Sequence, residues 1–190
     1  MSSDDELLAA HARGEPGVFD VLVKRYQGPL TGFLRKMTTD EALAEDAVIE
    51  TFLKVHRAAA SYESNGHFKT WLYTVAYREG VTLLRRRNKG VHRHEKSLDD
   101  VASAARCRQP TPEQTLSEKQ SLEAVEAVLD TVPEVQRAVF ILFYTEHMST
   151  ADIAEAVDIP PGSVRAYLSM VRKAIRLALP ERPWGSGEVQ

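Results

Sequence analysis

Apolar residues recur at helical spacing along most of the chain. One set of five positions is separated by steps of four, one, four and three residues: Leu43, Ala47, Val48, Phe52 and Val55. These steps place the five side chains on one face of an α-helix. Asp40 stands just before the set as an N-cap, and Glu41 lies in the first turn, where a carboxylate favours a helix start. The pattern predicts a helix over residues 41–55.

A second helix is predicted from about residue 67 to 87. Its apolar side carries Phe68, Trp71, Leu72, Val75, Ala76 and Leu83. An earlier helical stretch, residues 18–37, contains Gly28-Pro29, and proline removes a backbone donor, so we expect a bend or break there. No segment shows sustained period-two alternation or a hairpin signal. The chain is therefore predicted to be all-α.

The periodicity is lost between about residues 97 and 117. This stretch is rich in serine, alanine and acidic residues and contains Gln109-Pro-Thr-Pro112, a composition typical of a flexible linker. Helical spacing returns from residue 118, with an apolar stripe that includes Leu129, and Pro133 opens a further helix. We therefore expect two small helical domains, residues 1–96 and 118–180, joined by the linker 97–117 and followed by a short tail, 181–190.

The second domain contains a tight arrangement of two short helices. Ser149 and Asp152 have the spacing of a capping box with aspartate in place of glutamate. The tight turn 158–162 follows the first short helix, and Pro161 suits the first position of the next. The inward-facing residues are expected to be Ile153, Ala154, Val157, Val164, Leu168, Val171 and Ile175. This layout predicts a helix-turn-helix over residues 149–176.

The outer face of the second short helix is basic. Residues 160–179 contain four basic and no acidic side chains, and the expected exposed set is Arg165, Tyr167, Ser169, Arg172, Lys173 and Arg176. Arginine can bind guanine through two hydrogen bonds in the major groove, and cations can hold phosphates. The alternative is a solvated basic helix in an ordinary bundle. Because caps, turn and charge agree, we interpret this face as a reader of duplex DNA.

Charge and composition narrow the remaining function classes. The net charge is −3, yet residues 57–96 hold nine basic and three acidic side chains, which indicates a second DNA contact in an otherwise acidic chain. The N-terminus lacks the features of a secretory signal, and the longest apolar run has seven residues. A cytoplasmic protein is expected. No nucleophile motif or phosphate loop is present, and His92, His94 and Cys107 make an incomplete metal set; we predict no enzyme activity, cofactor or metal.

Two blocks of sequence resemble a known family. Ala44-Glu-Asp-Ala-Val-Ile-Glu-Thr-Phe-Leu-Lys-Val55, Phe68-Lys-Thr-Trp-Leu-Tyr-Thr-Val-Ala76 and Leu84-Arg-Arg-Arg87 resemble region 2 of the sigma-70 family. Leu129-Asp-Thr-Val-Pro133 and Gly162-Ser-Val-Arg165 resemble region 4. Nothing between them resembles region 3, a form typical of the extracytoplasmic-function (ECF) class. The resemblance implies a factor that directs core RNA polymerase to promoters, initiates transcription and is controlled by an anti-sigma factor.

The resemblance also implies roles for individual residues. The core polymerase-binding face would be Glu45, Asp46, Ile49, Glu50, Leu53 and Lys54. The −10 DNA-binding set would be Asn65, His67, Lys69, Thr70, Tyr73, Thr74, Tyr77, Arg78, Arg85 and Arg86, because aromatic rings stack on unpaired bases while cations hold the backbone. The −35 element would be bound by the basic helix of the second domain. The family commonly has glutamine at Ile49, so this chain has an exposed apolar residue in place of a polar contact on the polymerase-binding face. It also commonly has asparagine at Arg78 and aspartate at Thr82, and these two departures put the −10 preference in doubt.

Several alternatives stay open at this point. Tyr73 and Tyr77 suit either DNA or a half-buried structural position, and Trp71 suits the core. The chain could be a sigma-like decoy that binds an anti-sigma factor and no DNA, or a regulator that uses the helix-turn-helix alone. The basic recognition helix disfavours the decoy. A stand-alone regulator leaves the first domain's resemblance unexplained.

Overall fold

The computed structural model describes residues 2–91 and 118–179, with side chains for residues 2–88 and 124–179. Within these ranges the chain forms helices and one 3₁₀ turn, residues 59–61, and no strand. The helices are α1 (Asp4–Ala12), α2 (Val18–Thr38), α3 (Glu41–Ala58), α4 (Phe68–Val91), α5 (Glu118–Thr131), α6 (Glu134–Tyr144), α7 (Thr150–Val157) and α8 (Pro161–Ala178). The predicted all-α fold is confirmed. The expected linker 97–117 and tail 181–190 lie outside the described residues.

The helix starts follow the local sequence. The carboxylate of Asp40 accepts a hydrogen bond from the Leu43 backbone N–H at 3.0 Å and caps α3, and α8 begins at Pro161 as predicted. Helix α1 was not predicted. Its signal is present in the sequence as Ser3 and Glu6, which form a full capping box: Glu6 N–H donates to Ser3 Oγ at 3.2 Å and Ser3 N–H donates to Glu6 Oε2 at 2.8 Å.

The expected break at Gly28-Pro29 is wrong, because α2 runs unbroken from Val18 to Thr38 with Pro29 inside it. Both Gly28 and Pro29 are exposed. The backbone carbonyl that loses its donor to the proline therefore lies on the solvent side, where water can satisfy it. The opposite side of the helix buries Leu30, Phe33, Leu34 and Met37. Their packing keeps the helix continuous.

The first domain packs α2, α3 and α4 against one another, with α1 across α2. The apolar stripe predicted for α3 faces inward, with Ala47, Val48 and Val55 buried. Gly80 lets α4 approach α2 closely, because an added Cβ would collide with the side-chain ends of Met37 and Leu34. The three long helices therefore form one close-packed layer against which the remaining elements rest.

The second domain packs α6 and α7 on α8 and sets α5 against the end of α8. The residues predicted to face inward in the helix-turn-helix are all buried. A smaller apolar cluster of Leu129, Val171, Ile175 and Leu179 attaches α5 to α8. The Ser149 cap is confirmed, since its Oγ accepts the Asp152 N–H at 3.1 Å. The two domains also contact each other, α7 lying on α4 and α6 on α2, and their apolar residues form one continuous core.

Candidate nucleic-acid interfaces and the contact between the domains

The outer face of α8 is open to solvent, as the sequence predicts. Arg165, Ser169, Lys173 and Arg176 are exposed, whereas Tyr167 is half-buried against the core. Arg172 is held in place, since its Nε donates to the Tyr144 hydroxyl at 2.6 Å and its guanidinium lies 5.8 Å from the centre of the Phe143 ring. Among the described residues, the five other side chains of the predicted set make no comparable hydrogen bond. Helix α8 therefore presents cationic side chains to solvent, and one of them, Arg172, is held in place by its contacts with Tyr144 and Phe143.

The predicted polymerase-binding residues share the outer face of α3. All six are exposed, and two of them are apolar: Ile49 at 57% and Leu53 at 41% exposure. Ile49 and Leu53, together with residues of α2 and other residues of α3, line a shallow groove of about 320 Å³. The lining residues are Phe19, Val23, Gln27, Val48, Ile49, Phe52, Leu53 and His56. Lys54 at the edge is paired with Glu79 of α4. An apolar groove with an acidic margin is a surface suited to a protein partner.

The predicted −10 residues fall into two groups. Asn65, His67, Arg78, Arg85 and Arg86 are exposed. In contrast, Thr70, Tyr73 and Thr74 are buried, and Lys69 and Tyr77 are half-buried. We expected the second group to lie on the open side of α4, opposite its apolar stripe. The expectation of exposure is wrong for Lys69, Thr70 and Thr74, whereas Tyr73 and Tyr77 occupy the structural positions that the sequence left open as the alternative. The α6–α7 turn and α7 of the second domain bond to Lys69, Thr70 and Tyr73.

Tyr73 is the centre of the covered group. Its side chain is fully buried, its ring packs edge-on against Phe33 at 5.4 Å, and its hydroxyl donates to the carboxylate of Glu146 in the α6–α7 turn. Burial, followed by the hydrogen bond to Glu146, raises the pKa of the Tyr73 hydroxyl. Lys69 adds a second bond to the same residue, since its Nζ donates to the Glu146 carbonyl at 2.6 Å. One turn of the second domain therefore binds two predicted DNA contacts.

A second polar contact lies one helical turn away. Thr70 Oγ1 donates to Asp152 Oδ1 at 3.0 Å, and His67 Nδ1 lies 3.9 Å from the same oxygen. The Ser149 hydroxyl donates to the other Asp152 oxygen at 2.5 Å. The Ser149 bond, with smaller contributions from Thr70 and His67, holds the pKa of the Asp152 carboxyl below its usual value. Asp152 thus completes both the cap of α7 and the contact between the domains.

Arg137 of α6 makes the third contact and was not singled out in the sequence. It is buried, its Nη1 donates to the Met37 carbonyl at 3.1 Å, and its Nη2 donates to the carbonyls of Val132 and Asp130 at 3.0 and 3.2 Å. Met37 lies in the last turn of α2, where carbonyls lack helical partners and favour a cation. Burial lowers the pKa of the guanidinium. A lone arginine within an apolar run offers no sequence signal for this role.

A cavity of about 320 Å³ lies beside the loop that joins α3 to α4. It is lined by Ala58, Ser61, Tyr62, Glu63, Asn65, His67, Trp71 and Glu155. The rings of Tyr62 and Trp71 are 4.7 Å apart and tilted by 38°. Trp71 is half-buried, so its side chain is not fully enclosed in the core. Aromatic walls with an amide and an imidazole at the rim are typical of a site that holds a flat, polar ring.

Two segments of the chain match known family models. Residues 22–90 match the family model for Sigma-70 region 2, and residues 122–175 match the model for Sigma-70, region 4. The ECF RNA polymerase sigma-E factor of Haemophilus influenzae is 30% identical over 91% of this chain and 93% of that protein. The chain belongs to the ECF sigma factors. The RNA polymerase sigma-H factor of Pseudomonas aeruginosa is 28% identical over 94% of this sigma factor and 95% of its own length.

Two solved structures have the same fold. The sigma factor RpoE of Bartonella quintana, solved in complex with the anti-sigma factor NepR, superposes with a TM-score of 0.68 at 19% identity, covering 87% of this chain and 98% of that one. CnrH, solved in complex with the cytosolic domain of CnrY, gives the same TM-score and identity and covers 96% and 100%. The resemblance to the ECF class of the sigma-70 family is thereby confirmed, and this chain is a transcription initiation factor.

Two further features concern other kinds of site. Among the described residues no helix has the length and apolarity needed to cross a membrane. The same residues contain no group of three or more His, Cys, Asp or Glu side chains placed to bind a metal. His92, His94 and Cys107, the imperfect metal set noted in the sequence, lie outside the described residues.

Proposed function

We propose that this sigma factor has no catalytic activity of its own and acts in the cytoplasm by directing core RNA polymerase to promoters. Helix α8 would enter the major groove of the −35 element, with Arg165 near its N-terminus closest to the bases. The loop before α4 and the outer side of α4 would hold the unpaired strand of the −10 element. Linker 97–117 would let the two domains, 1–96 and 118–180, reach the two elements.

The observation that carries the proposal is that one of the two predicted DNA-binding surfaces is exposed, whereas the other is partly covered by the second domain. The face of α8 is largely open, whereas five of the ten predicted −10 residues are buried or half-buried, and three of those five bond to the second domain. Aromatic and cationic side chains of α4 suit unpaired bases, but Tyr73, Thr70 and Lys69 are bonded to Glu146 and Asp152. We infer that the described arrangement is a closed, inactive form, and that the second domain moves off α4 when the promoter is engaged.

The groove on α2 and α3 supports the proposed partners. Exposed Ile49 and Leu53 offer an apolar contact, and Glu45, Asp46 and Glu50 offer acidic ones, as expected of a docking face for core polymerase. The family commonly has glutamine at Ile49, so here apolar contact would replace a polar one. We propose that an anti-sigma factor competes for this same surface, because one solved structure with this fold, that of RpoE, is a sigma factor bound to the anti-sigma factor NepR.

A reversible cross-link tests the closed form. Thr70→Cys and Asp152→Cys in a Cys107→Ser background replace two side chains whose oxygens are 3.0 Å apart, a separation compatible with a disulfide after small adjustment. The oxidised protein should bind −35 duplex normally but fail to start run-off transcription with core polymerase. Reduction should restore transcription, and each single cysteine variant serves as a control. Equal transcription by the oxidised and reduced proteins would refute the closed form as the inactive one.

The broader proposal has its own test. Core polymerase with the wild-type chain should start transcription from some genomic fragments and not others, including DNA upstream of its own gene. A complete absence of initiation on every fragment would refute the proposal and leave the two alternatives, a decoy that binds an anti-sigma factor or a regulator that uses the helix-turn-helix alone. The open basic face of α8 argues against the decoy, because a protein that only mimics a sigma factor has no use for an exposed duplex-reading helix.

A further inference from the structure

Helix α1 is attached to the first domain by two adjacent carboxylates that have different partners. Asp4 pairs with Arg25 and accepts a hydrogen bond from the Tyr26 hydroxyl at 2.5 Å, so it holds α1 against α2. Asp5 points instead at residues 62–66, the part of the α3–α4 loop that borders the cavity. Its Oδ1 accepts hydrogen bonds from the Tyr62 hydroxyl at 2.8 Å and the Gly66 backbone N–H at 3.1 Å, with the Ser64 hydroxyl at 3.5 Å.

These bonds make Asp5 a structural centre for the loop. The residue is only 8% exposed, so its carboxylate depends on the three loop donors for much of the solvation it has lost. Gly66 has a φ of +81°, a left-handed conformation that glycine adopts readily. The backbone therefore reverses at the residue whose N–H is bonded to Asp5. No other carboxylate among the described residues bonds to this loop segment's backbone.

The loop is also one wall of the aromatic cavity. Tyr62, which donates to Asp5, stacks against Trp71 at 4.7 Å on the cavity side. Asn65 and His67 flank Gly66 and line the rim, and the Asn65 amide oxygen accepts the His67 N–H at 3.1 Å. The positions of Tyr62 and of the two rim residues thus depend on the bonds that Asp5 makes. A flat ring entering the cavity would meet groups placed indirectly by α1.

We propose that Asp5 is a positioning residue that keeps the first-domain walls of this cavity, those of the α3–α4 loop and α4, shaped for one unpaired nucleobase of the −10 element. The inference rests on the proposed function, since it assigns a ligand to a site beside the predicted −10 residues. Asp5 itself lies under the loop and does not touch the base. Its removal should widen the range of bases the cavity accepts, while duplex binding by α8 and polymerase docking by α3 continue.

The chain offers a matched control for this test. Asp5→Ala removes the loop anchor, whereas Asp4→Ala removes the half-buried contacts to Arg25 and Tyr26 from the same helical turn and no contact to the loop. Holoenzymes assembled with core polymerase are titrated with single-stranded −10 oligonucleotides from a promoter that the wild type uses, each with one abasic position. We expect one abasic position to weaken wild-type binding most. Asp5→Ala should reduce that penalty about tenfold, the equivalent of one lost buried hydrogen bond to a charge, and Asp4→Ala should preserve it.

Hydrogen exchange supplies a readout that is independent of DNA. The Gly66 amide should exchange faster in Asp5→Ala than in the wild type or in Asp4→Ala, and Asp5→Asn should lie between. An abasic penalty that stays within twofold of the wild type in folded Asp5→Ala protein would overturn the proposal. So would equal losses in the two alanine variants, which indicate general destabilisation. A wild-type holoenzyme that starts no transcription would instead refute the proposed function, whatever the Gly66 exchange shows.

Discussion

Helices α8 and α4 carry similar chemistry on their outer faces but lie in different surroundings. Both present tyrosine, hydroxyl and cationic side chains beside an apolar stripe. On α8 most of these groups face solvent, and the two exceptions, Tyr167 and Arg172, contact only their own domain's residues or the core, with Arg172 bonded to Tyr144. On α4 they are bonded to Glu146 and Asp152 of the other domain. If the proposed roles hold, the arrangement leaves the predicted duplex-binding groups of α8 available and covers part of the predicted −10 groups of α4.

The contact between the domains is built of three polar anchors around a continuous apolar core. Glu146, Asp152 and the carbonyl of Met37 accept from Tyr73, Thr70 and Arg137 respectively. Each of these groups is buried or half-buried. When one partner is removed, the other therefore has neither water nor another protein group to complete its hydrogen bond. Such contacts favour one register between the domains while leaving little apolar surface specific to the interface. The following variants test how far α4 and α8 really differ.

The largest effect is expected for Tyr73→Ala. Removing a fully buried ring from the shared core, together with the partner of the Glu146 carboxylate, should lower the free energy of unfolding by about 3–5 kcal/mol. Tyr167→Ala on α8 is the matched control, and because that tyrosine is half-buried the loss should be clearly smaller. Urea denaturation measures both. Equal losses would mean that the outer faces of α4 and α8 contribute equally to the core, which would contradict the difference between the two helices.

Arg137→Met should have the next largest effect. Methionine fills much of the volume, but three carbonyl oxygens lose a charged donor, at a cost of about 2–3 kcal/mol. The bond to Met37 is the one that joins the domains, so small-angle scattering should also show a larger radius of gyration. Arg35→Met is the control, since its exposed pair with Glu41 at 3.1 Å contributes under about 1 kcal/mol. An unchanged radius would limit Arg137 to a role inside the second domain.

Arg165→Ala tests the open helix directly. A base-edge contact should cost about 1–3 kcal/mol of affinity for the −35 duplex and relax selectivity at one base pair. Unfolding should be unchanged, because the side chain is exposed. Competition binding against duplexes mutated at each position provides the measurement. A uniform loss on all sequences, with a shallower salt dependence, would make Arg165 a phosphate contact instead.

The smallest effect concerns pH. The pKa of the Asp152 carboxyl is lowered by Ser149, Thr70 and His67, so its contribution is fully present above the ordinary aspartate pKa of about 4 and is lost as pH falls through the lowered folded value. Between pH 5 and 3 the wild type should therefore lose stability more steeply than Asp152→Asn. The Asp152 side chain is partly exposed, so the difference should be slight. Acid titration of Asp158→Asn, an exposed carboxylate on the turn before α8, provides the baseline.

Much of the fold could be predicted because helices are coded by neighbouring residues. The caps at Asp40 and Ser149, the start of α8 at Pro161 and the buried set of the helix-turn-helix all follow from residues within a few positions of one another. Helix α1 was missed although Ser3 and Glu6 carry its signal. The break expected at Pro29 was wrong, since packing of Phe33 and Leu34 outweighs one missing hydrogen bond.

The candidate surfaces also divide into those that neighbouring residues predict and those that depend on distant residues. Periodicity correctly places Arg165, Ser169, Lys173 and Arg176 on the outside of α8 but not the half-buried Tyr167, and the same reasoning places Ile49 and Leu53 on the open face of α3. The roles assigned to these residues and to the −10 set stay predictions. Asp5 could not have been found as a loop anchor, because its partners are Tyr62 and Gly66, more than fifty positions away.

The sequence by itself therefore determined most of the helices and caps, the family, and the basic face that we propose reads a duplex. Tertiary structure alone decided which polar face of α4 is available. Thr70 and Tyr73 have the periodicity of exposed residues, yet a polar side chain can be buried when a partner accepts its hydrogen bond. Glu146 and Asp152 supply that partner from the other domain, 73 and 82 positions along the chain. Local spacing carries no record of such a pairing.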